Sequence, residues 1–133
     1  MNYRALAHLH WWKRIGWALI ALVIVLSLVA PLPLPAIGPV GWRDKASHLL
    51  AYAALAFWYA QLLPPGRALL VCALALVALG GVLECLQGLT PDRLPEWRDF
   101  IANTLGVVLG AASAFTPLSR VLQTLDPPPG TVS

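Results

Sequence analysis

The stretch Glu84-Cys85-Leu86-Gln87-Gly88-Leu89-Thr90-Pro91-Asp92-Arg93-Leu94-Pro95-Glu96-Trp97-Arg98-Asp99-Phe100-Ile101-Ala102-Asn103-Thr104-Leu105-Gly106 gathers polar residues in a chain that is otherwise apolar. It reads as the end of one membrane helix, a short external loop and the start of another. Ionisable groups beside or inside apolar runs cost several kcal/mol unless they face protein or water. Taken singly, each is equally well a helix cap or an interface anchor. Taken together, they mark the place around which the rest of the chain is arranged.

The chain has 133 residues, 59% hydrophobic and 11% charged, with a mean hydropathy of +0.72. Soluble proteins average about 45–50% apolar and about 25% charged residues, so this composition is that of an integral membrane protein. No internal repeat divides it, and a single domain over residues 1–120 is expected. The net charge of +3 is scattered. Without a run of Lys or Arg to follow a phosphate backbone, nucleic acid is excluded as a partner. Cys72 and Cys85 sit in an apolar run without metal-ligand spacing and read as small buried hydrophobes.

Outward from the central stretch, four apolar runs predict an all-α bundle of four antiparallel transmembrane helices, at about residues 15–31, 45–63, 68–89 and 99–116. Arg4, Lys13 and Arg14 beside Trp11 and Trp12 anchor the first helix at a cytoplasmic headgroup layer. A cleaved signal peptide competes with this reading. Its exit, Leu28-Val29-Ala30-Pro31, lacks the small residue wanted three before a cut, Pro31 would follow the scissile bond, and further spans follow. The prolines between Pro31 and Pro39 forbid helix in the first external linker. Pro64-Pro65-Gly66-Arg67 makes a tight inner turn. Residues 121–133, ending in a proline-rich tail, are expected to be disordered. With both termini inside, Arg4, Lys13, Arg14, Arg67 and Arg120 face the cytoplasm, while Arg43, Lys45, Arg93 and Arg98 lie outside. The charge rule thus leans toward this orientation in the cytoplasmic (inner) membrane.

At 1.5 Å per residue, His48 lies about 6 Å below Asp44, Asn103 about 6 Å below Asp99, and Glu84 about 7.5 Å below Leu89. Three helices therefore bring polar groups to a common depth. The candidate ligand-binding residues are Asp44, Lys45, His48, Tyr52, Glu84, Gln87, Arg93, Asp99 and Asn103, with Lys45 and Arg93 at the rim as attractors of an anionic group. Such a layer can transfer protons, hydrogen-bond a polar headgroup, or simply clasp the bundle. A metal held by His48, Glu84 and Asp99 would rest on one histidine, so neither a metal nor another cofactor is expected. Gly80-Gly81 and the Gly106-x-x-x-Gly110 motif suit close helix packing.

The series Asp44-Lys45-x-x-His48-x-x-x-Tyr52, Glu84-x-x-Gln87, Arg93 and Asp99-x-x-x-Asn103-x-x-Gly106-x-x-x-Gly110 resembles the VanZ-like membrane proteins. Departures are Asp92, where the pattern has a glycine, and Glu96-Trp97 in place of a small or serine-like residue. The resemblance implies a small four-helix membrane protein of a family linked to low-level resistance to the glycopeptide teicoplanin. The expected partners are membrane lipids and, as ligand, a lipid headgroup, a cell-wall precursor or a glycopeptide. A binding or accessory protein at the extracytoplasmic face is the leading reading. An intramembrane enzyme using the His/Glu/Asp layer and a purely structural bundle are the alternatives.

Overall fold

A computed structural model describes residues 2–29, 42–89, 96–128 and 130, with only the backbone of Trp42 and Arg43. The external linker and the loop carrying Asp92 and Arg93 lie outside the described residues. The described chain is helical: α1 (Leu9–Leu28), α2 (Trp42–Leu62), α3 (Arg67–Gln87), α4 (Trp97–Ala112) and the short α5 (Val121–Leu125). The helix ends differ from the expected ones by a few residues. The largest shift is at α1, whose aromatic lead from Leu9 is already helical.

Two of these helices, α1 and α3, are long and apolar enough to cross a membrane, and α4 with its continuation makes a bent third. The bend is 75° and has a local cause. Pro117 cannot continue the preceding ladder and drives Thr116 to extended angles, φ −114° and ψ 164°. Between α2 and α3, Gly66 takes φ 143°, a conformation that a side chain would disfavour, which lets the chain reverse within Pro64–Arg67.

Helix α2 lies at the centre. Tyr52, Leu55, Ala56, Ala60 and Leu62 at its core-facing positions, and Leu63 just beyond its end, are at most 2% exposed. The buried face of α4 is drawn by Asp99, Ala102, Asn103, Gly106, Val107 and Gly110, a helical stripe. Its two glycines lie against the α2 backbone. A Cβ on Gly106 would collide with the Leu49 carbonyl oxygen, and one on Gly110 would collide with that of Ala53 and sit 2.7 Å from the Phe57 nitrogen. Gly80 and Gly81 open α3 to α4 instead, facing Asn103 at 3.2 Å and Phe100 at 3.3 Å. In a membrane, where lipid is as apolar as leucine, such backbone approach supplies much of the packing. The outward positions of α1, α3 and α4 are large hydrophobes, among them Leu22, Val25, Leu74, Val82, Val108 and Leu109, each about half exposed or more.

Residues 121–126, expected within a disordered tail, are ordered against the amino terminus. The backbone and ring of His8 hydrogen-bond the Asp126 carboxylate at 2.8 and 2.7 Å, and the Trp12 indole N–H donates to it at 2.8 Å. Burial alone would raise this carboxyl, but the three donors outweigh burial and hold its pKa down at about 2. Because the folded value lies below the ordinary one, this clasp is fully present above about pH 4 and is lost as the pH falls through 2. Gln61 adds a second tie, donating to the Leu118 carbonyl at 2.9 Å and accepting from the Leu122 N–H at 3.3 Å. The expectation of disorder missed these ties because they join residues far apart in sequence, those of Asp126 to His8 and Trp12 across more than a hundred positions. Of the two free cysteines, Cys72 is half-buried, whereas Cys85 is exposed on the outer face of α3 and is not the buried hydrophobe expected.

Candidate functional site

The amino ends of α2 and α4 meet the carboxyl end of α3, and the polar residues of all three collect there. From α2, Asp44, Lys45 and His48 occupy the first turns, with Tyr52 one turn deeper. From α4 come Asp99 and Asn103, one turn apart on the buried face. Glu84 stands near the end of α3, buried on the same side as Gly80 and Leu83.

These groups form a connected chain. His48 Nδ1 lies 3.1 Å from Asn103 Oδ1, and Asn103 Nδ2 donates to Glu84 Oε1 at 3.4 Å. Asn103 presents its amide nitrogen to Glu84 and its amide oxygen, which only accepts, to the imidazole. That fixes the proton on Nδ1 of His48. Nε2 then faces Asp44, 3.7 Å from Oδ1. Beside this chain, the Lys45 ammonium contacts Glu96 at 2.7 Å and Asp99 at 3.1 Å. The contact with Lys45 holds the exposed Glu96 carboxyl below its usual range. Tyr52 closes the floor. It is 1% exposed, its ring meets the Gly80 position beside Asn103, and its hydroxyl has no hydrogen-bond partner among the described residues.

A family profile described as VanZ/LLP1 matches residues 3–119. The chain belongs to the VanZ/LLP1 family. No curated protein and no solved structure matches it. The matched span of this VanZ/LLP1 protein takes in α1 to α4 and every described residue of the layer.

Of the residues singled out in the sequence, Asp44, Lys45, His48, Tyr52, Glu84, Asp99 and Asn103 are brought together. Arg93 lies outside the described residues. Gln87 turns to α1, where it donates to the Ser27 carbonyl at 2.6 Å, satisfying a helix-end acceptor. Lys45 is not a free cation at the rim, since two carboxylates hold it. Sequence reasoning passed over Glu96, which it treated only as a departure from the family pattern. Its position one turn before Asp99 is the signal that would have placed it beside Lys45. The metal set weighed from sequence, His48 with Glu84 and Asp99, is not the one that converges. One ligand-type atom from each of Asp44, His48 and Asp99 lies within 4.8 Å of the others.

Proposed function

We propose that this VanZ/LLP1 protein is a multi-pass protein of the cytoplasmic membrane. In this reading α1 to α4 each cross once in an antiparallel bundle with both termini cytoplasmic, and the polar layer opens to the extracytoplasmic face. There it binds the polar part of an envelope ligand, a lipid headgroup, a cell-wall precursor or a glycopeptide such as teicoplanin, as a binding or accessory protein. Helix α2 is the least apolar of the four and opens on Arg43, Asp44 and Lys45, and a helix facing protein needs less apolar surface than one facing lipid. Arg4, whose N–H bonds the Leu62 carbonyl, and Arg67 lie at the end opposite Lys45, Glu96 and Asp99, an arrangement that fits a basic cytoplasmic side.

One observation carries the binding role: the Tyr52 hydroxyl is fully buried and has no hydrogen-bond partner among the described residues, at the floor of a layer whose other groups are linked. A clasp that existed only to hold helices would satisfy its own groups, since a buried unpaired hydroxyl costs about 1–3 kcal/mol. An outward site leaves capacity for a ligand. With Lys45 engaged by Glu96 and Asp99, recognition rests on hydrogen bonding by His48, Asn103, Glu84 and Tyr52 rather than on the Lys45 ammonium.

Two measurements test this. Reporter fusions after Arg67 and after Asp92 are expected on opposite sides of the membrane, and the same side for both would refute the topology. In nanodiscs, the wild-type protein is expected to retain teicoplanin or a lipid-linked cell-wall precursor above a phospholipid background, and Tyr52→Phe to retain less. Equal retention by both proteins would remove the observation on which the binding role stands.

A further inference from the structure

The acid-rich mouth points to a second occupant. We propose that Asp44, His48 and Asp99 bind a divalent metal ion of the zinc or manganese type. Their three ligand-type atoms are mutually within 4.8 Å, and none of the three is a donor once the Nδ1 proton of His48 is committed to Asn103. Acceptors gathered at that spacing repel one another, and the Lys45 ammonium, the cation described beside them, lies against Asp99 alone of the three. One imidazole nitrogen with two carboxylates is a donor set that suits zinc or manganese, leaving further positions for water or ligand oxygens.

The surroundings complete the argument. The second ring nitrogen of His48 is held by Asn103, whose amide is oriented in turn by Glu84. Metal-binding histidines are commonly fixed in this way through the nitrogen that does not touch the metal. Among the described side chains, the carboxylates of Glu84 and Glu96 join those of Asp44 and Asp99 at this end of the bundle, beside the ammonium of Lys45. Lys45 contacts Oδ1 of Asp99 at 3.1 Å, and a carboxylate has a second oxygen to give. A further observation is independent of the cluster. The buried Tyr52 hydroxyl, without a hydrogen-bond partner among the described residues, lies one turn below His48 on a helix whose side chains lean toward its amino end, and so it aims at the layer from beneath. A water on the metal would supply the partner it lacks. The inference does not depend on which envelope ligand the layer takes.

The test uses the full chain purified in detergent, stripped with chelator and titrated with zinc and with manganese alone. One ion per chain is expected, with a rise in melting temperature as metal is added. Asp44→Asn is the informative variant because the Asp44 side chain is 67% exposed, so its loss leaves the packing intact. Asp44→Asn and His48→Gln are each expected to weaken binding by more than about tenfold, the least that loss of even a supporting group produces. His8→Ala and His10→Ala, remote histidines, are expected to bind as the wild type does. Absence of stoichiometric binding, or binding that survives both Asp44→Asn and His48→Gln, would overturn the site. Binding lost in the remote variants would reassign it to the amino terminus and overturn it equally.

Discussion

Gly110→Leu is expected to prevent the protein from folding to a stable bundle. The first carbon of any side chain at this position already meets the Ala53 carbonyl oxygen, the Ala56 Cβ at 2.7 Å and the Phe57 nitrogen at 2.7 Å. Two of these are backbone atoms of α2, which cannot rotate aside as a flexible side chain can. Overpacking ordinarily costs about 1–3 kcal/mol where neighbours adjust. Here α4 would have to withdraw from α2 as a whole, which separates Asn103 from His48 and opens the layer. The same reasoning gives Gly106→Ala a smaller loss, since its Cβ meets the Leu49 carbonyl oxygen and the Ala53 nitrogen at 3.0 Å. Thermal unfolding in detergent should rank the wild type above Gly106→Ala, and Gly106→Ala above Gly110→Leu. An unchanged melting temperature for Gly110→Leu would mean that this face of α4 looks at lipid.

Glu84→Leu is expected to be the second severe change, for a different reason. Leucine fills a similar space but accepts no hydrogen bond, so the Asn103 amide, 1% exposed, loses the acceptor at 3.4 Å. Leaving that donor buried and unpaired costs about 1–3 kcal/mol. His48 also loses the carboxylate 3.8 Å from its Nδ1. Glu84→Gln is milder, because its amide oxygen still accepts from Asn103 and its size is conserved. In a melting experiment Glu84→Leu should fall well below the wild type and Glu84→Gln close to it. Equal melting of all three would show that the link from α3 to α4 carries no stability.

Much of this architecture was legible in the residues. The helical runs stood out because a membrane helix must satisfy its own backbone and present an apolar outside, and the prolines between them cannot continue a helix. The meeting of His48, Glu84, Asp99 and Asn103 followed from rise per residue and shared depth. Pairing was harder to read. That Gly106 and Gly110 press on α2 while Gly80 and Gly81 face Asn103 and Phe100 depends on helix rotation, which spacing alone does not set. Lys45 illustrates the same limit: its position at the rim was readable, but its capture by Glu96 and Asp99 required the relative placement of α2 and α4. The tie of Asp126 to His8 and Trp12 left no signal, since a proline-rich tail usually lacks the apolar surface to order itself.

The central claim is that the layer of His48, Asn103, Glu84 and Tyr52 is a site and not only a clasp. Its most direct test measures fold and phenotype together for Glu84→Gln and His48→Ala. The wild type and each variant would be expressed in cells that lack the chain, scored for any teicoplanin tolerance the wild type confers, then purified from the same membranes for a thermal melt. The account predicts that both variants insert and melt near the wild-type temperature while tolerance is lost. Normal tolerance in both variants, with normal melting, would contradict it and leave a structural helix bundle.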